Sequence, residues 1–311
     1  LNLAFAGSAS EAVRYGSITN RIEGANWSAF VPMDGADAAK GKEALGAFVV
    51  EDSIDALVEG HSKELDAFVI HSASESLQEA AKSAGKAGKP ILAGPLLASS
   101  HGALAALTSE MNGSALVPAF TWRFIPAIQS LKASLDAGKL GEIGLIRLHR
   151  WHSEASDMAD RIIPAIDIAT WFFGHRPTKI FSLQGTSGKD YIQVHLQFEG
   201  DGMVVIDDTA DLPDGGDYFS LTVIGGTGAA YADDHRNMNL VVDGVHPHAI
   251  RTGQGEAHLI GQLKAFVNHV RGEAAETLTT QDAADVLDVS DTVLGRVGSV
   301  AVWKDGSYEF E

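Results

Sequence analysis

Gly88-Lys89-Pro90-Ile91-Leu92-Ala93-Gly94-Pro95-Leu96-Leu97-Ala98 is the stretch from which the fold is read. Polar punctuation leads into a short apolar run, Gly-Pro follows, and a helix-like segment starts at Ser99. Strand end, tight turn and helix in that order belong to an alternating β/α region, where open sheets place ligands at the carboxyl ends of their strands.

Working back from that stretch, Leu1 to Ala6 is a short apolar run, followed by Gly7-Ser8-Ala9-Ser10-Glu11-Ala12 and a helical segment. Ala12, Tyr15, Thr19 and Ile22 share one face of that helix. A second apolar run, Trp27 to Met33, ends at Asp34. Strand, glycine turn, helix, strand and acid is the order of a dinucleotide-binding unit. Two details depart from the fingerprint. Ala9 adds a methyl group where a glycine lets the backbone approach a pyrophosphate. Glu11 sits in the first helical turn, where its charge opposes a bound phosphate by roughly 3 kcal/mol at about 6 Å, unless the side chain turns away. Asp34 suits the ribose hydroxyls of NAD, or it is a turn acid at a strand end. Asp66 to Ile70 reads as a further strand running into His71-Ser72-Ala73-Ser74-Glu75-Ser76-Leu77, with a helix expected over 78–86. Val117 to Phe120 is the expected last strand. Residues 1–118 thus form a Rossmann-like, doubly wound parallel sheet, with the boundary near Pro118.

Residues 119–311 read as an α/β domain with an open, mainly antiparallel sheet. Pro126 stands near the start of a helix that stops at Gly138. The strand from Leu145 to His152 sends His149 and His152 to opposite faces, so no metal site is expected there. Pro164 is compatible with a helix only in its first turn, so the next helix is expected to begin at Pro164. From Lys179 the pattern is strand-rich, broken by turns such as Glu199-Gly200-Asp201-Gly202. Ile224-Gly225-Gly226-Thr227-Gly228 reads as a hairpin turn and His246-Pro247-His248 as a surface loop. Helices are expected from Glu256 to Arg271 and from Thr280 to about Val297. The last begins without a capping-box acid opposite Thr280, although Asp282 lies in its first turn.

At 311 residues, with 45% hydrophobic and 21% charged residues, the chain is globular. A net charge of −18 without a basic stripe argues against nucleic acid. No Lys/Arg-rich amphipathic segment and no apolar run of about 18 residues points to a membrane. With no cysteine there is no disulfide framework and no thiol nucleophile. That is compatible with a cytoplasmic enzyme. Leu1 already opens a strand-like run, so any leader lies outside this numbering.

Three segments carry a resemblance. Arg123-Phe124-Ile125-Pro126-Ala127, a helix, then Gly138-Lys139-Leu140-Gly141-Glu142-Ile143 is one. Asp160, Asp167, Trp171 and Gly174, in register along a helix, form the second, and the Gly94-Pro95-Leu96 turn with Ser72 upstream forms the third. Together these resemble the sugar and polyol dehydrogenases typified by glucose-fructose oxidoreductase, inositol dehydrogenase and the rhizopine catabolism proteins, of which this chain is a divergent example. The resemblance implies hydride transfer between a hydroxy compound and NAD or NADP, with Gly7, Ser8, Ala9, Asp34 and Ser72 toward the cofactor. Arg123, His152 and Arg161 then face a sugar-like small molecule, and Asp160 is left as the catalytic candidate. It also implies a homo-oligomer built on the open sheet face. Where the family carries its lysine this chain has Pro95, and where it carries its proton-accepting histidine it has Pro164. Proline holds no titrating proton. Two alternatives therefore stand beside an oxidoreductase: a non-catalytic small-molecule binding or sensing protein, and an assembly partner that keeps only the fold.

Overall fold

The computed structural model describes residues 1–310 except 73, 95–96, 112, 153–156, 186–189, 212–216, 234–237, 243–246, 252–255 and 274–277, and gives the backbone alone at 74, 217, 233, 238–242 and 247–251. The chain alternates from its start: β1 (Asn2–Gly7), α1 (Ala9–Ile18), β2 (Asn26–Pro32), α2 (Ala38–Leu45), β3 (Val49–Val50), α3 (Ile54–His61), β4 (Ala67–His71), α4 (Ser74–Lys86), β5 (Ile91–Gly94), α5 (His101–Ser109) and β6 (Leu116–Pro118). These strands form one six-stranded parallel sheet in the order β3-β2-β1-β4-β5-β6. The order reverses direction between β1 and β4, which creates the switch point where doubly wound sheets bind ligands. Every residue of β1 after Asn2 is buried, as expected of a strand covered on both faces. Phe5 anchors that core, with the rings of Tyr15, Trp27 and Phe30 centred 5.1, 5.7 and 6.3 Å away.

The rest of the chain runs α6 (Pro126–Asp136), β7 (Ile143–His152), α7 (Met158–Phe173), β8 (Lys179–Gln184), β9 (Tyr191–Gln197), β10 (Met203–Thr209), β11 (Asp217–Gly225), β12 (Ala229–Asp233), β13 (Met238–Val242), β14 (Pro247–Arg251), α8 (Ala257–Val270), α9 (Thr280–Gly295), β15 (Val300–Lys304) and β16 (Ser307–Phe310). Its ten-stranded sheet has the order β14-β13-β12-β11-β7-β10-β9-β8-β15-β16 and is antiparallel except where β10 runs parallel to β7. Alternation is regular: Ile192, Val194 and Leu196 point into the core, and Tyr191, Gln193 and His195 point out.

The chain divides into two compact units, Leu1–Phe124 with Glu256–Ala284, and Ile125–Gly255 with Asp285–Glu311. The first unit takes back α8 because Leu259, Leu263, Phe266 and Val267 need burial at helical spacing.

Several elements differ from the sequence expectations. Helix α4 starts at Ser74, not at residue 78. Helix α7 starts at Met158, so Pro164 lies inside it rather than in its first turn. The preceding turn is held independently of the proline: the Asp157 side chain accepts from the Ala159 amide, and Ile162 and Ile163 are buried. The missing proline N–H leaves only the Asp160 carbonyl without its helical donor. Of His246-Pro247-His248, expected as a surface loop, His246 lies outside the described residues, whereas Pro247 and His248 open β14, an edge strand paired with β13, with the proline at the first position, where strands tolerate one. Helix α9 does have a capping box, displaced by one residue. The Thr279 hydroxyl accepts from the Asp282 amide at 3.2 Å, and the Asp282 carboxylate accepts from the Thr279 amide at 2.9 Å. The glycine run after β11 is a turn as expected, tied down by the Gly226 and Thr227 amides donating to Glu142 and Leu140 carbonyls. No described helix is long and apolar enough to cross a membrane.

Candidate functional site

The first unit gathers its candidates at the carboxyl ends of β1, β2 and β4. Gly7 ends β1, and a Cβ there would come within 2.5 Å of the His71 carbonyl oxygen, so close strand packing requires the glycine. Ser8 caps α1, its hydroxyl accepting from the Glu11 amide at 3.2 Å, and Ala9 is the first helical residue. Glu11 does turn away from the helix end. Its carboxylate takes Arg14 Nη1 at 2.9 and 3.2 Å and lies 3.8 Å from His71 Nδ1. Arg14 reaches on to Glu256, which precedes α8, through Nε and Nη2 at 3.3 and 3.2 Å. Burial keeps His71 below the ordinary imidazole range, against the pull of Glu11.

Asp34 follows β2 with a positive φ of 56°, a conformation aspartate tolerates better than most residues. Its carboxylate accepts from the Ser72 hydroxyl at 2.6 Å and the Ser76 hydroxyl at 3.1 Å. Two hydroxyl donors on one carboxylate reproduce the demand that a ribose diol makes. Asp34 and Ser76 also border a cavity of about 300 Å³ whose wall includes Asp52, Asp55 and Glu79. Arg123 does not join this group. Its Nη2 lies 3.1 Å from Asp282, whose carboxyl is pushed up by burial but held lower on balance by Thr279 and Arg123.

In the second unit the structure brings His152 and Arg161 together through two residues absent from the sequence reading, Asp208 and Asp190. Arg161, 1% exposed on α7, holds Asp190 with both Nη atoms at 2.6 and 2.7 Å and has its Nε 2.8 Å from Asp208. His152 Nε2 lies 3.7 Å from the other Asp208 oxygen. Among the described residues neither His152 ring nitrogen has a hydrogen-bond partner. Burial raises the Asp208 carboxyl despite Arg161 and His152, whereas the Arg161 hydrogen bonds lower that of Asp190. The signal for Asp208 was present in the sequence. In Met203-Val204-Val205-Ile206-Asp207-Asp208 the core-facing positions are Val204, Ile206 and Asp208, and a carboxylate at a core position demands a cation. Asp160 does not enter the cluster. It lies open to solvent on α7, where local desolvation and then the Asp157 charge raise its carboxyl. His149 turns to the other sheet face and meets Asp207 at 2.9 Å. Among the described residues no group of three or more His, Asp or Glu side chains is arranged to hold a metal. Pro95 lies outside the described residues.

No family model matches the chain. Inositol 2-dehydrogenase 2 of Saccharopolyspora erythraea is 32% identical over 171 residues, which is 51% of this chain and 49% of that protein. The chain thus spans about half the length of the curated relative it matches. Levoglucosan dehydrogenase, solved with NADH and levoglucosan, superposes with a TM-score of 0.82 at 15% identity, covering 95% of this chain and 96% of that one. The fold is that of the sugar and polyol dehydrogenases. Aldose-aldose oxidoreductase from Caulobacter crescentus, complexed with glycerol, gives the same TM-score of 0.82 at 14% identity over 97% and 99% of the two chains. This dehydrogenase fold explains why the candidates divide between a parallel sheet and an antiparallel one.

Proposed function

We propose that the chain is an oxidoreductase that binds NAD(H) in its first unit and acts on a hydroxyl of a sugar or polyol. The observation that carries this reading is Asp34, fixed at the switch-point edge with two hydroxyl donors on its carboxylate. The residues there fit the cofactor. Asp34 would take the ribose diol, the amides at the Ser8 end of α1 would take the pyrophosphate, and Glu11 is paired with Arg14, which it shares with Glu256. The cofactor would supply hydride acceptance and donation, which no side chain provides. NAD(H) is favoured over NADP(H) because the cavity beside Asp34 is walled by Asp52, Asp55 and Glu79, and a 2′-phosphate would meet that negative field.

The inositol and levoglucosan dehydrogenases support a hydroxylated, uncharged substrate. In the second unit, His152, Asp208 and Arg161 bring an imidazole, a carboxylate and a guanidinium together, all three buried. The facing atoms of His152 and Asp208 are closed to solvent, so this cluster braces the sheet from within rather than opening onto a substrate hydroxyl. Each general acid or base contributes about 10²–10⁴-fold to rate, so with Pro95 and Pro164 in place turnover is slow.

A second reading is favoured by one observation. Pro164 sits within α7, where no ionisable side chain replaces the family's histidine, and a non-catalytic binding protein needs none. NADH fluorescence titration tests the first claim, and NAD⁺ reduction against a panel of inositols, aldoses and anhydrosugars tests the second. Saturable NADH binding with slow reduction by one polyol class is expected. Binding without reduction by any of them selects the second reading; no NADH binding sinks the first, and the second falls only if no sugar or polyol shifts the thermal midpoint either.

A further inference from the structure

Ser8-Ala9-Ser10-Glu11 has the S-x-x-E form of a capping box, in which the serine hydroxyl takes the glutamate amide and the glutamate carboxylate reaches back to the serine amide. Only the first half is made. The Ser8 hydroxyl accepts from the Glu11 amide at 3.2 Å, but the carboxylate is drawn down the helix to Arg14. Arg14 is in turn fixed from the far side by Glu256, 242 residues away in sequence, through two further contacts. Two elements thus meet through one guanidinium: the first turn of α1 and the entry to α8.

We propose that Arg14 is a positioning residue for dinucleotide binding, holding Glu11 off the Ser8 amide so that the amides at the start of α1 stay open to an anion. The inference rests on the NAD(H) reading above and adds to it a residue that touches neither cofactor nor substrate. Left unrestrained, a glutamate at this position closes the box, occupies the amide a phosphate needs and brings a negative charge to it. Glu256 keeps Arg14 on the flank of the helix. Arg14 is half-exposed but Glu11 is only 17% exposed, so removing Arg14 leaves that carboxylate with only His71 beside it, and adding Glu11→Ala removes it.

The test uses the full chain, NADH and NADH fluorescence. Arg14→Ala is expected to weaken NADH by about tenfold, the scale of one charge at a helix end. The loss should shrink as salt rises, because the effect is electrostatic. Adding Glu11→Ala in the same chain should restore the wild-type constant, which a general loss of packing would not allow. Thermal midpoints of all variants monitor folding. Unchanged NADH affinity in Arg14→Ala, or a double variant as weak as the single one, overturns the proposal. Failure of the wild-type chain to bind NADH would instead remove the reading on which it rests.

Discussion

Arg161 and Asp190 form a two-point ion pair in which both Nη atoms of a guanidinium that is 1% exposed meet both oxygens of a carboxylate at 2.6 and 2.7 Å. The same guanidinium also faces Asp208, which is itself 1% exposed. Removing the cation strands a buried carboxylate. Arg161→Met is therefore expected to destabilise the chain by about 3–5 kcal/mol, measured by urea unfolding. The double variant Arg161→Met with Asp208→Leu should recover much of that loss, since the charge left unpaired, that of Asp190, is 37% exposed and open to water. A double variant as unstable as the single one would show that packing, not charge, sets the cost.

Asp190 and Asp282 have folded-state carboxyls below the ordinary range, one through its hydrogen bonds from Arg161 and the other through Thr279 and Arg123 prevailing over burial. A carboxyl lowered on folding adds stability that is complete above its unfolded pKa of about 4 and disappears as pH falls through the lower folded value. Asp208 runs the opposite way, because burial raises it, and its ionisation weighs against the fold as pH rises through its folded value. Asp282→Asn should flatten the acid limb of a stability curve below about pH 4 and leave the limb near neutrality unchanged.

His71 is pushed by burial below the ordinary imidazole range, so the unfolded chain takes up its proton first as pH falls. Stability from this group is full above about pH 6.5 and declines as pH drops toward the lower folded value. His71→Gln is expected to remove that slope below about pH 6.5 in thermal melts. An unchanged slope would assign it to another histidine.

Asp34→Asn keeps a side chain that tolerates the positive φ of 56° but surrenders the charge. NADH affinity should fall by about tenfold, the value of one charge-assisted hydrogen bond. NADPH should be weakened less, because a negative charge is removed from its path. Equal losses for both cofactors would count against Asp34 as the ribose contact.

The outer face of the ten-stranded sheet carries Leu183, Tyr191, Met203, Ile224 and Tyr231, each more than a third exposed. A face of that kind is expected to pair with a second copy of the chain. Met203→Glu combined with Tyr231→Glu should lower the mass seen by light scattering to that of a monomer. A monomeric wild-type chain would exclude such an assembly.

Although α2, β3 and α3 went unread, the sequence by itself was enough for the alternating β/α order, five of the six strands of the parallel sheet, the two faces of β7 and the position of Asp34. Each of these follows from periodicity and turn chemistry within a few residues, which are local properties of the chain. It misplaced the start of α7 because proline was weighed without the Asp157 cap and the buried isoleucines that hold the turn before it. Only the tertiary structure decided which charges neutralise which. Arg14 meets Glu256 across 242 positions, Arg161 meets Asp190 across 29, and Arg123 is committed to Asp282 across 159. Coulombic pairing depends on distance in space and on burial, and neither is encoded in the spacing of residues along the chain.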